Sequence, residues 1–284
     1  MKTIAVIGAS GMLGQPVVNA LLQANFNVVA IASNLTKLKA VMPSAVICRQ
    51  ADVRDLTQTQ QALKGCDGVH ISLAAFSPAQ SLAIQEQGCR NIVTAAKQQK
   101  LSRITYLSGT TSFANNAWHY DTQGKLAAEQ AIKQSGLDYL IYCPSWFMET
   151  LPQFVQNRRA TIFGPADRPI KWLCANDYAD IVCRSYQQSK LLNTRLYLHG
   201  PQAHTMASAI KRYSQAQQPE IAVSRLPFWA GKGLAWLSRD EKLKDAMALL
   251  AYYQQVQEAG DPEISNQAFG APRTELDQWL AAQA

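Results

Sequence analysis

The sequence predicts an α/β fold, a doubly wound parallel sheet with a smaller, mainly helical C-terminal lobe. Three observations predict it. Short, continuous apolar runs alternate with helical patterns through residues 1–150. The first run ends in glycines at 8, 11 and 14, and a helical pattern follows at once. After Pro144 the alternation falters and helical patterns dominate. Apolar strands separated by helices imply a parallel sheet buried on both faces, with right-handed crossovers.

The elements follow in order. Residues 2–7 read as the first strand and 15–23 as the first helix. Strands follow at 28–32, 45–49, 68–73, 104–108 and 139–143. Helices fall between them at 35–42, 56–63, 79–99 and 123–134, that at 35–42 having the weakest pattern. Residues 177–187 then read as a helix and 195–199 as a short strand returning to the sheet. This divides the chain into a first domain, 1–150 with 176–200, and a second lobe, 151–175 with 201–284. The lobe is expected at the carboxyl edge of the sheet, where ligands bind in such folds.

The glycine string carries the chemistry. Gly8 permits a tight turn, Gly11 lets the backbone approach a pyrophosphate, and Gly14 lets helix and strand pack closely. The helix that follows offers free N–H groups and a positive dipole end to phosphates. A dinucleotide is therefore expected. NAD binders place Asp or Glu about 20 residues beyond the glycines, to hold the ribose 2′-OH. This chain has Ala32-Ser33-Asn34 there. No carboxylate repels a 2′-phosphate, Ser33 and Asn34 can donate to one, and Lys37 adds charge. NADP(H) is favoured over NAD(H). Asn34 is equally suited to cap the next helix, and both roles can hold together. Asp52 and Val53 follow the third strand, where they meet the adenine edge or serve as loop and helix-capping residues.

Bulk properties exclude several classes. The 284 residues are 48% hydrophobic and 17% charged, enough for a sizeable core. No apolar run approaches the ~20 residues of a membrane span, and the N-terminal strand carries no signal-peptide pattern. The six cysteines form no Cys-x-x-Cys pair. They read as reduced thiols of a cytoplasmic protein, with no metal site expected. The net charge of +7 is dispersed, with Arg158-Arg159 its densest pair. That pattern suits an anionic cofactor and solubility rather than direct nucleic-acid binding.

Several stretches together resemble the atypical short-chain dehydrogenases/reductases of the NmrA-like, NAD(P)H-binding group, which includes the NAD(P)H:quinone oxidoreductase type. They are residues 8–14; 52–55 with 62–69; 125 with 135–139; 144–151; and 176–181 with 200–202. A tail like residues 269–274 is also common in that group. The resemblance implies a Rossmann domain with a small substrate lobe. It implies NADP(H) phosphates on Gly8, Ser10, Gly11, Met12 and Leu13, specificity contacts at Ser33, Asn34 and Lys37, and adenine at Asp52 and Val53. Leu73, Ala74 and Ala75 would border the cofactor ribose. Lys125 would hold the nicotinamide ribose, and Pro144, Trp146 and Phe147 would flank the nicotinamide. Many relatives carry Arg where this chain has Ser33.

Better-known members of the superfamily use Tyr-x-x-x-Lys, the tyrosine moving the carbonyl proton and the lysine lowering its pKa. Here the residue four before Lys125 is Asp121. Tyr120 is one position further back, about 100° round a helix. It can still reach the site if it precedes the helix. Lys125 reads as a cofactor ligand or as a helix lysine paired with Glu129 at i+4. Ser108, at the end of the fifth strand, reads as a polar site residue or a turn serine. His119 has a pKa suited to proton transfer, though packing explains it equally. Trp146, Phe147, Phe154, Phe163, Trp172, Phe228 and Trp229 could line a flat apolar pocket or belong to the core.

Hydride transfer itself asks little of side chains beyond position and exclusion of water. The first reading is therefore an NADP(H)-dependent oxidoreductase acting on a quinone-like or small carbonyl acceptor without the Tyr-x-x-x-Lys pair. The second is an NmrA-like protein that senses NADP(H) and contacts a regulatory protein. The third, a sugar-nucleotide epimerase or dehydratase, needs the tyrosine base that is missing. The expected partner is a small-molecule substrate, with no membrane, and the chain a monomer or homodimer.

Overall fold

The computed structural model describes residues 2–189, 191–217, 220–238, 241–256 and 258–283. The chain forms two compact units. The first comprises residues 1–144, 175–198 and 261–270, and the second residues 145–174, 199–260 and 271–284.

The first unit opens with β1 (Thr3–Ile7), α1 (Gly14–Gln23), β2 (Asn27–Ala32), α2 (Leu35–Val41), β3 (Ile47–Gln50), α3 (Leu56–Leu63) and β4 (Gly68–Ile71). A helical turn, α4 (Pro78–Gln80), runs into a π-helical stretch, Ser81–Gly88, and on into α5 (Cys89–Gln98). Then come β5 (Arg103–Leu107), α6 (Tyr120–Lys133) and β6 (Asp138–Pro144). The chain leaves for three short strands of the second unit, β7 (Val155–Gln156), β8 (Arg159–Phe163) and β9 (Pro169–Lys171). It returns as α7 (Ala175–Gln187) and β10 (Thr194–Leu198).

The sheet is parallel throughout, in the order β10-β6-β5-β4-β1-β2-β3. The strand order reverses between β1 and β4, where open α/β sheets bind ligands. The strands are apolar because both faces are covered: β1, β4 and β5 are buried almost end to end. Ile7, Val29, Ile31, Val69 and Ile71 form one core cluster with Ile92 and Ala95 of α5 and Ile132 of α6. The helix starts follow sequence: Asn34 Oδ1 accepts from Lys37 N at 2.8 Å, and Asp55 Oδ1 from Gln58 N at 3.0 Å.

A polar seam runs through this core. His70 of β4 is fully buried, with Nδ1 2.9 Å from Thr105 Oγ1 and Nε2 3.3 Å from Tyr178 Oη. Thr105 Oγ1 in turn lies 3.0 Å from Tyr186 Oη. Burial pushes the His70 imidazole down to about 3, so it is neutral.

The second unit continues with β11 (Ala203–Thr205), α8 (Met206–Ala216), β12 (Ala222–Leu226), α9 (Phe228–Ser238) and α10 (Glu241–Gln255). After α11 (Glu263–Phe269), which belongs to the first unit, α12 (Leu276–Ala281) completes it. Its core gathers Met148, Leu151, Ile162, Trp172, Ile210 and Trp279.

The observed division differs from the expected one at residues 145–150 and 261–270, and by one or two residues at 175 and 199–200. Residues 145–150 group with the second unit, where Leu173 N donates to Trp146 O and Met148 N to Leu173 O. Residues 261–270 group with the first, because Ser265 Oγ bonds Tyr197 O at 2.6 Å and Arg184 Nη1 donates to Phe269 O at 2.7 Å. The second unit also carries strands that the sequence pattern did not show, a three-stranded sheet (β12-β8-β7) and a two-stranded one (β11-β9). Among the described residues no helix is long and apolar enough to cross a membrane.

Candidate active site

The glycine loop sits at the carboxyl end of β1. Gly8 has φ +79°, and a Cβ there would lie 2.0 Å from the Ser72 carbonyl oxygen. The turn thus needs glycine for its backbone angle and for its approach to the end of β4. A Cβ on Gly14 would lie 2.3 Å from Gly8 O and 2.8 Å from Ala9 Cα, so α1 starts hard against the loop. Gly8 N donates to Ile31 O and Gly11 N to Gly8 O, both at 3.0 Å, and Gln15 Nε2 donates to Ser10 O at 3.1 Å. The helix begins after Leu13 with no side-chain cap and no acidic residue in its first turn. A cradle this close, ending in a helix start without a carboxylate, fits a pyrophosphate.

The segment after β2 is exposed. Ser33, Asn34 and Lys37 all face solvent. Asn34 spends its side-chain oxygen on capping α2, the local role foreseen for it. Ser33 O accepts from Gln50 Nε2 at 3.0 Å. After β3, Asp52 is clamped by Arg54: Oδ1 accepts from Nε at 2.9 Å and Oδ2 lies 2.5 Å from Nη2. The hydrogen bonds from Arg54 hold this carboxyl below the usual range. Val53 is buried in the core cluster, and a Cβ on Gly88 would lie 2.7 Å from its Cγ2. After β4, Leu73 is partly buried, Ala74 exposed and Ala75 buried.

Lys125 projects from α6. Its Nζ pairs with Asp121 Oδ2 at 2.8 Å, both side chains being mostly buried. Asp121 Oδ1 accepts from Gln85 Nε2 at 2.8 Å, and the Ser81 hydroxyl lies 2.8 Å from both Gln85 Oε1 and Tyr120 O. Burial raises the Asp121 carboxyl, but the adjacent Lys125 ammonium and the bonds from Lys125 and Gln85 outweigh it and hold the group below its ordinary value. A Cβ on Gly109 would come 3.7 Å from Lys125 Nζ, so the ammonium lies beside the loop after β5.

Glu129 is engaged by other groups. It is buried, accepts from the Ser108 hydroxyl at 2.6 Å, and pairs with Lys133 at 3.3 Å and Arg195 at 3.1 Å. Ser108 is thereby committed to a buried carboxylate. Tyr120 is the first residue of α6 rather than a residue before it, and its ring stacks on His119 at 4.5 Å between centroids. His119 caps the helix, its Nδ1 accepting from Asp121 N at 3.3 Å, and burial lowers its pKa.

The segment after β6 divides. Pro144 O accepts from Thr110 N at 3.1 Å in the first unit. Trp146 packs its ring against Trp172 and Phe154 of the second unit, at 6.2 and 6.5 Å. Phe147 and Trp172 are buried core residues, and Trp229 is exposed. Of the aromatic residues expected around a pocket, Phe154 and Phe163 line a cavity.

A family model described as NAD(P)H-binding matches residues 8–163. The chain belongs to the NAD(P)H-binding family. Its match begins at Gly8, just after β1, and takes in the glycine cradle, Lys125 and the strands β2 to β6. A curated relative, the NAD(P)H azoreductase of Xenophilus azovorans, is 22% identical over 86% of this chain and 84% of its own. Quinone oxidoreductase 2 of Escherichia coli is 30% identical over 51% of this chain and 49% of its own. Among solved structures, an Escherichia coli NADPH-dependent quinone oxidoreductase complexed with NADPH superposes with a TM-score of 0.73 at 21% identity, covering 99% of both chains. A triphenylmethane reductase of Citrobacter sp. reaches 0.79 at 19% identity, again over 99% of both. The resemblance to atypical short-chain dehydrogenases/reductases of the quinone oxidoreductase type agrees with these matches, and the Rossmann-like fold is shared.

Sequence reasoning missed the support of Lys125 in this family member. Ser81 and Gln85 reach α6 from the π-helical stretch, and Gly124 lets them: a Cβ there would lie 2.2 Å from Ser81 Oγ and 2.5 Å from Gln85 Oε1. The visible signal is Gly124, a glycine inside the helical pattern of residues 123–134.

Proposed function

We propose that this chain is an NADP(H)-dependent oxidoreductase that passes a hydride to a quinone-like or small carbonyl acceptor without the usual Tyr-x-x-x-Lys pair. The observation that carries the reading is the side-chain-free cradle of Gly8 and Gly14 closing on the uncapped start of α1. The nicotinamide, when bound, supplies the hydride. The backbone from Gly8 to Gly14 holds the phosphates. Ser33, Asn34 and Lys37 receive the 2′-phosphate: all three are exposed and no carboxylate stands among them. Asp52 and Val53 border the adenine, and residues 73–75 and Pro144 border the rest of the cofactor. Lys125, held by Asp121, donates to the nicotinamide ribose. Ser108 serves the fold, since Glu129 takes its proton donor.

Asp121 occupies the position four before Lys125. As an acceptor of two hydrogen bonds with a lowered pKa, it is a poor proton donor at neutral pH. An acceptor that takes its protons from solvent, as a quinone can, needs no donor from this position. The azoreductase and quinone oxidoreductase relatives are consistent with such acceptors. The test is NADPH oxidation with a panel of quinones and azo compounds. Turnover with at least one is expected; tight NADPH binding with no turnover on any would overturn the reading.

The same Asp121 favours a second reading, a sensor of NADP(H) that contacts a regulatory protein. A partner retained in only one cofactor state would support it, and retention indifferent to NADP(H) would exclude it.

A further inference from the structure

We infer that the second unit holds a binding cavity for a flat, neutral aromatic molecule of one or two rings carrying a hydrogen-bonding oxygen. The cavity measures about 250 Å³. Its walls are Phe154 just before β7, Ile162 and Phe163 of β8, Met206 and Ile210 of α8, and Leu250 of α10. An apolar cavity of roughly 150 Å³ is large enough to admit benzene. The space here is therefore ample for one ring and suited to two.

The cavity is held open by backbone rather than left by loose packing. On one side α9 already touches Phe163: a Cβ on Gly231 would lie 2.8 Å from Phe163 Cδ1 and 2.5 Å from Met247 Sδ. On another side the chain turns through Pro165 and through Ala166, whose φ is +48°. Walls fixed in this way keep the space available to a ligand entering from the exposed rim.

The rim sets the ligand's chemistry. Thr161, Asp167 and Arg168 are the polar residues of the lining. Arg168 gives one bond from Nη1 to Val256 O at 3.2 Å. Asp167 and Arg168 are adjacent and exposed, so the rim presents acceptor and donor with little net charge. A neutral molecule bearing a hydroxyl or keto oxygen satisfies both. An ionised one must leave its hydration to enter the apolar space, and the opposite charges of the rim give it no net compensation. Every residue concerned belongs to the second unit, so cofactor binding serves as an internal control.

The test is calorimetric titration of the full chain with 2-naphthol as probe, with NADPH titrated in parallel. Saturable one-to-one binding of 2-naphthol is expected, and its ionised analogue 2-naphthoate should bind at least about tenfold more weakly. Ile210→Trp, which puts a larger ring into the space, should weaken 2-naphthol at least about tenfold, hold or raise Tm, and leave NADPH affinity unchanged. Met206→Phe fills the same space from the first turn of α8 and replaces Ile210→Trp if that variant does not fold. Absence of saturable 2-naphthol binding overturns the inference. So does unchanged affinity in a folded variant with the cavity filled, and equal binding of 2-naphthoate overturns the neutral ligand class.

Discussion

Lys125 and Asp121 show how one residue changes what a site can do. The carboxylate four positions before the lysine neutralises it and fixes its ammonium beside Gly109. Two variants separate these effects. Asp121→Asn keeps the bulk and a hydrogen bond but removes the charge. It should raise KM for NADPH about tenfold, equivalent to roughly 1.4 kcal/mol of lost positioning, with kcat changed less. Lys125→Ala should weaken NADPH binding further and also cost about 2 kcal/mol of stability, because Asp121 is left mostly buried without its cation. The double variant should regain that stability while still binding NADPH poorly. Steady-state kinetics and urea unfolding check the set; recovery of NADPH affinity in the double variant would show that Lys125 does not touch the cofactor. Lys37 is tested separately. Lys37→Ala should narrow the preference for NADPH over NADH by about threefold, the scale of one exposed charge contact. Equal affinities in the unmodified chain would show that the segment from Ser33 to Lys37 does not read the 2′-phosphate.

At the level of elements, the contact between α6 and the π-helical stretch matters most. Ser81 and Gln85 project to α6 from a segment wound one residue wider per turn, and Gly124 opens the room for them. Gly124→Ala removes a helix-breaking residue and would stabilise an isolated helix by about 1 kcal/mol. Here its methyl group displaces Ser81 and Gln85, so Asp121 loses its second hydrogen bond. The variant should be no more stable than the parent and should raise KM for NADPH; a clear rise in Tm with KM unchanged would show that the two elements are not coupled. This contact also marks the limit of what the sequence discloses. The seven strands of the parallel sheet are legible because each is a compact apolar run between helical patterns, and β1 to β6 fall within a few residues of expectation. Residues 79–99 read as one helix, because a π-stretch differs from an α-helix in its hydrogen bonding and not in composition. The strands of the second unit were illegible for another reason. β12, Ala222–Leu226, is exposed along its length and has no buried face to impose an alternating pattern. The glycine cradle was legible because sterics demand glycine there, whereas the commitment of Ser108 to Glu129 depends on a neighbour 21 residues away.

At the scale of the whole molecule, the central sheet carries a titratable group that answers to pH. His70 lies between Thr105 and Tyr178 with no water-facing surface, and its imidazole is neutral with a pKa near 3. In the unfolded chain the same group titrates near 6.5. Between those values the unfolded state binds a proton that the folded state refuses, so acidification favours unfolding. The loss should begin as pH falls through about 6.5 and approach about 1.4 kcal/mol per pH unit below 6, continuing to about pH 3. The depressed carboxyls of Asp52 and Asp121 add losses of the same sign, but only as pH falls below the ordinary carboxylate range, near 4. The interval from pH 6.5 to 5 therefore belongs to imidazoles: to His70, the most deeply buried, and with the same sign to His119 and His204, whose pKa values burial also lowers. His70→Gln replaces it with a group that does not titrate and can still reach Thr105. The variant is expected to be less stable at pH 7.5, since the seam is repacked, yet its stability should fall less steeply between pH 6.5 and 5, keeping only the share of His119 and His204. Urea unfolding at half-unit intervals measures both slopes. Parallel slopes for the two proteins would mean that the sheet tolerates a charged His70 and that the seam is not closed to protons.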